Sequence, residues 1–156
     1  MSLIAAGTGP QEAPPEALAN NGFWPEIAPG DFRETQRLDG TVTQPRLEHA
    51  LRVAIADVNR QLADYQAQHQ AAGIEDAQGI PLEPWQMEGH HALLYRRAVY
   101  AQAHAELLER YRDISATGQG DERGEAKDLA ADDYRGDARW AIAELTGRTH
   151  STVELI

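Results

Sequence analysis

No cysteine occurs among the 156 residues, which excludes disulfide frameworks, thiolate metal sites and thiol nucleophiles together. Stability has to come from packing. The opening Met1-Ser-Leu-Ile-Ala-Ala carries no basic residue and its apolar run stops at Gly7, so it does not read as a secretory leader. No uncharged apolar stretch approaches the roughly 18 residues that a membrane span needs. Lysine is almost missing: Lys127 is alone among 14 basic side chains, and the rest are arginine. Arginine forms planar, two-pronged pairs with carboxylates that survive at desolvated interfaces, although GC-rich codon usage produces the same bias. Positive charge as a whole is short, 14 basic against 25 acidic residues for a net charge of -11. A field of that sign repels phosphate backbones and speaks against a general nucleic-acid binder.

What the chain does contain is 42% hydrophobic and 25% charged residues, the mixture of an ordinary globular domain, in a length suited to one domain. Residues 1–22 hold Pro10, Pro14, Pro15, three glycines and Asn20-Asn21 without an apolar period, and are expected to form a flexible arm. Phe23-Trp24-Pro25-Glu26-Ile27 then offers apolar groups either to the core or to a neighbouring subunit. Asp31 and Glu34 have capping-box spacing, which predicts a short helix from Phe32 to about Leu38. Thr43 as cap, Pro45 in the first turn and the Val42/Leu47 staple predict a second start. From there Leu47, Leu51, Ala54, Ile55, Val58, Leu62 and Tyr65 recur at helical spacing until Gly73, predicting one helix of about eight turns.

The stretch between Gly73 and Gly89 is loop chemistry, with Ile80, Leu82, Trp85 and Met87 able to pack back. A helix from His90 to about Ile114 has two apolar rows, one through Leu94, Ala98, Ala101, Ala105 and Leu108 and one through Leu93, Tyr100, Leu107, Tyr111 and Ile114. That breadth predicts a central or shared helix, its alanines permitting close approach. Helical spacing resumes from Glu122 to about Thr146 through Leu129, Tyr134, Ala138, Ala141, Ile142 and Leu145, with Gly147 as its stop. The expected fold is therefore all-α, a bundle of three long helices plus a short N-terminal one. Its parts are an arm over 1–22, a helical domain over 23–148 and an extended tail over 149–156, where the β-branched, alternating sequence favours a strand without a partner.

No catalytic, metal-binding or cofactor-binding constellation emerges. Glu88-Gly-His90-His91 has one Glu-x-x-His step where a carboxylate-bridged bundle needs two. Gly118-x-Gly120-x-x-x-Gly124 follows a helix and lacks the Lys-Ser/Thr pair of a phosphate loop. Arg135-Gly136-Asp137 lies within a helical pattern, and no Gly-x-Ser-x-Gly turn exists. A protein without enzymatic activity or cofactor is expected.

Five runs stand in an order that is specific as a set: Gly22-Phe-Trp-Pro-Glu-Ile-Ala-Pro, Thr41-Val-Thr-Gln-Pro-Arg-Leu-Glu-His-Ala, Tyr95-Arg-Arg-Ala-Val, Glu109-Arg-Tyr-Arg-Asp and Arg139-Trp-Ala-Ile-Ala. Together they resemble the head completion proteins (gene L products) of contractile-tailed bacteriophages, over roughly residues 22–156 apart from the loop between Gly73 and Gly89. The resemblance implies a structural adaptor of the virion neck, made in the host bacterial cytoplasm and placed at the head–tail junction. There it would bind the portal protein after DNA packaging, seal the filled head and dock tail completion or neck proteins. It also implies a homo-oligomeric, twelve-fold ring through which packaged DNA passes without sequence-specific binding, with no cofactor and no membrane. Candidate partner contacts are Trp24, Arg96, Arg97, Arg135, Arg139 and the tail residues Val153, Leu155 and Ile156. The competing expectation is a small helical DNA-binding or packaging-regulatory protein, which would need short helices around a tight turn and a basic recognition face.

Overall fold

The computed structural model of the chain describes residues 16–110 and 118–148, with the backbone alone over 118–127. Among them the regular structure is all-α: α1 spans Pro29–Thr35, α2 Gln44–Gln61, α3 Ala63–Ala71, α4 His90–Arg110 and α5 Gly118–Thr146, with a 3-10 turn at Ala77–Gly79. Five α-helices thus replace the expected three long and one short, and there is no β-sheet among the described residues. An isolated antiparallel bridge joins Leu18 to Ile27.

The count differs because the expected eight-turn helix is interrupted at Leu62, whose φ of -97° and ψ of 5° leave the helical region and whose N–H is shared between the Val58 and Arg60 carbonyls. Before the break the predicted apolar row is buried as expected, Leu47, Leu51, Ala54, Ile55 and Val58 all facing inward. Beyond it α3 buries no side chain completely. It ends in a Schellman motif, with Gly73 N–H bonded to Gln70 and Ile74 N–H to His69, and Gly73 at φ +86°.

At α1 the predicted capping box does not form. The N-cap is Ala28, Pro29 opens the helix and Asp31 sits inside its first turn, where its carboxylate accepts a hydrogen bond from the Tyr100 hydroxyl. A tertiary donor has taken the acid that the local motif required. The helix closes with the same pair of bonds as α3, but Arg37 holds the left-handed position at φ 54°. Thr43 does occupy the N-cap of α2 with Gln44 and Pro45 behind it, although its side chain makes no capping bond.

The central position of α4 follows from which residues reach which neighbour. Tyr95 contacts Asn59 of α2, whereas Arg97 and His104 contact Asp137 and Tyr134 of α5. At about 100° per residue, Arg97 and His104 lie half a turn round from Tyr95, so α2 and α5 flank α4 on opposite sides. The helix is buried on both flanks, and Ala98, Ala101, Ala103 and Ala105 are all inaccessible, as close helix approach requires.

Residues 16–28 form a strap across α2 and α4. Leu18, Phe23, Trp24 and Ile27 belong to the same buried cluster as the helices, and the Phe23 carbonyl accepts a bond from Ala77 N–H at 2.9 Å. The expected arm over 1–22 therefore includes Leu18 and Asn20, which are packed on the domain, while residues 1–15 and the tail 149–156 fall outside the described residues.

Candidate interaction surfaces

The strap is fixed by a polar ring. Asn20 Nδ2 donates to the Tyr95 hydroxyl at 2.8 Å and to the Pro25 carbonyl at 2.9 Å; the Tyr95 hydroxyl donates to Asn59 Oδ1 at 2.7 Å; and Asn59 Nδ2 returns to Asn20 Oδ1 at 2.9 Å. Each amide is thereby bonded through both its oxygen and its nitrogen, which lets the amides leave bulk water. Asn21 adds a turn, its Oδ1 accepting from the Phe23 and Trp24 backbone N–H groups. Trp24 then lies 3% exposed, stacked at 4.8 Å on Tyr95 and at 6.2 Å on Tyr65. Of the two fates open to this aromatic pair, the described chain takes the core. Burial pushes the Tyr95 phenol up to about 12 and raises Tyr65 as well.

The four arginines expected to meet partners do not converge on one site. Arg97 donates to both oxygens of Asp137 and lies 4.4 Å over the Trp140 ring. Arg135 grips Glu109 through two nitrogens, holding that carboxyl below its ordinary range. Both pairs clamp α4 to α5 within the chain. Arg96 is half-buried at the rim of a cavity of about 580 Å³ between the strap and the start of α4, which Glu26, Asp76, Glu88 and His91 also line. Arg139 is exposed on α5. Val153, Leu155 and Ile156 lie outside the described residues.

Histidines cluster at the start of α4. His91 is buried, and desolvation together with His90 and His69 holds its imidazole below its ordinary value. His104 is lowered by burial, stacked on Tyr134 at 4.0 Å. Among the described residues no group of three or more His, Asp or Glu could hold a metal ion, and no helix is long and apolar enough to cross a membrane.

The surface features that sequence periodicity misplaced are apolar. Of the loop residues expected to pack back, Ile80 does so, whereas Leu82, Trp85 and Met87 face outward, Trp85 at 67% and Met87 at 81% exposure. Leu93 and Leu129, assigned to buried rows, are exposed too. The Pro84-Trp85 and Met87-Glu88-Gly89 steps carried a usable signal, since a chain turning at proline and glycine has no helical face on which to hide a side chain.

The model of the family described as Phage head completion protein (GPL) matches residues 18–156. The head completion/stabilization protein of Escherichia phage P2 is 36% identical over 148 residues, which is 94% of this chain and 88% of that relative. A probable head completion/stabilization protein of Haemophilus phage HP1 is 28% identical over 142 residues, 89% of this chain and 91% of its own. No solved structure matches.

Proposed function

Because the chain belongs to the phage head completion protein family, a structural and non-catalytic role in completing and stabilising the phage head is its function, and we propose that it exercises this role at the head–tail junction of the virion. There it binds the portal protein once DNA is packaged, closes the filled head and offers a surface to tail completion or neck proteins. The observation that carries this reading is the extent of the family match, which begins at Leu18, the first buried side chain of the strap, and runs to the last residue.

Copies of the chain assemble as a homo-oligomeric ring, twelve-fold by the resemblance, through which DNA passes without sequence-specific contact. The net charge of -11 supports the last point, since a basic lumen would brake DNA. Arg96, Arg139 and the tail residues Val153, Leu155 and Ile156 are the proposed contacts with neighbours. Trp24, Arg97 and Arg135 serve these contacts at one remove, by fixing the strap and the α4–α5 pair.

The test is a phage lacking this gene, complemented or not by the intact chain. Uncomplemented infections are expected to accumulate filled heads that leak DNA and join no tails, and cryo-electron microscopy of complemented particles to show several copies below the portal. Infectious particles without the chain, or a single copy per neck, would overturn the proposal.

A further inference from the structure

We propose that the outer faces of α2 and α5 are the two halves of one head-to-tail contact between copies of this chain, an inference that rests on the ring proposed above. The outer face of α2 is set by the inward row Leu47, Leu51, Ala54, Ile55 and Val58. Opposite that row stand Arg46, His49, Arg52, Val53, Ala56 and Arg60, all exposed. Three arginines and no acid occupy this face in a chain of net charge -11. Asp57 reaches Arg60 from the flank, and no described residue pairs with Arg46 or Arg52. Val53, at 42% exposure, gives the face an apolar centre.

The outer face of α5 has the opposite sign. Its inward row is Ala131, Ala138, Ala141 and Leu145. Away from that row stand Leu129, 69% exposed, with Asp132 and Asp133 one turn further along. Arg139 lies at the edge of this face, and Arg135 is already held by Glu109. One face therefore joins an apolar side chain to arginines, and the other joins one to aspartates.

Their placement decides the symmetry of the contact. A two-fold contact through either face alone would set arginine against arginine or aspartate against aspartate, which charge repulsion opposes. Since α2 and α5 flank α4 on opposite sides, pairing unlike faces leaves each copy with one face still open, the condition for a chain of subunits that closes into a ring. Leu129 meets Val53 at the centre, and Asp132 and Asp133 meet Arg46 and Arg52 around it.

The chain has no cysteine, so an introduced thiol is the only one it carries, and a link between two copies is read as a multiple of its own mass on a blot. Phage particles are complemented with Val53→Cys, Leu129→Cys or the double variant and treated with a short bismaleimide. Both positions are exposed, so the fold tolerates the changes. The double variant is expected to give a ladder beyond the dimer, and each single variant a monomer. A monomer from the double variant incorporated in particles, or a dimer from Val53→Cys alone, overturns the head-to-tail contact and leaves the function standing. Absence of the chain from particles would remove the function and this contact together. As a second measurement, Arg52→Asp and Asp133→Arg are each expected to lose infectivity and in combination to recover it; loss without recovery counts against the pairing.

Discussion

Replacing Tyr95 by Phe removes one oxygen from the middle of the strap and leaves the rest of the ring system in place. The phenyl still stacks 4.8 Å from Trp24, so no cavity opens, and the cost comes from two lost hydrogen bonds. Asn59 Oδ1 loses its donor, and one hydrogen of Asn20 Nδ2 loses its acceptor, while the bond from Asn20 to the Pro25 carbonyl remains. An unsatisfied buried polar group costs about 1–3 kcal/mol. Both amides are only part-buried, so the lower end applies to each and the sum is about 2–3 kcal/mol. For a chain of this size that lowers Tm by about 4–12 °C. Urea unfolding followed by far-ultraviolet circular dichroism should show a lower midpoint at unchanged m. Asn20→Ala combined with Tyr95→Phe should cost less than the two changes summed, because both break the same bond. A loss below about 0.5 kcal/mol, or strict additivity, would refute the polar ring as a cooperative unit.

At alkaline pH the same phenol makes a separate contribution. An unfolded chain ionises it near 10.0 and the folded one near 12, so stability is complete below pH 10 and falls as pH rises to 12, by up to roughly 2–3 kcal/mol. Tyr95→Phe should flatten this limb in a pH series of urea melts. On the acid side His91 and His104 are lowered in the folded state, so unfolded chains bind protons first below pH 6.5 and stability declines as pH falls. His104→Gln should reduce that slope above pH 5, before the carboxylates titrate. Arg37→Gly relieves a left-handed conformation at an exposed helix end, and after the entropy cost of glycine it should stabilise by about 0.5–1 kcal/mol, seen as a higher midpoint.

The elements legible in the sequence were those whose burial repeats along a helix. The inward row of α2, the breadth of α4 and the stops at Gly73 and Gly147 all follow from spacing and from positive φ. The strap was not legible, because Asn20 is held by Asn59 and Tyr95 far along the chain and Leu18 by a single bridge to Ile27, neither of which leaves a local period. Asp31 looked like a cap for the same reason, its true partner Tyr100 being 69 residues away. The interruption at Leu62 left no trace in composition, since leucine suits either side of it. Nothing in the sequence around Arg97 and Arg135 announces that Asp137 and Glu109 engage them within the chain.

The distance along the chain between the strap and its seat has a consequence for synthesis. Asn20 and Tyr95 are 75 residues apart, and Phe32 waits equally for Tyr100, 5.2 Å from it in the finished protein. At a bacterial elongation rate the ribosome takes roughly 4–15 s to cover that interval. The same delay separates the emergence of Phe23, Trp24 and Ile27 from the exit tunnel and that of α4, which receives them. Slow codons between Gln61 and His90 are therefore expected to lengthen the exposure and lower the soluble yield without altering a single residue of the folded protein.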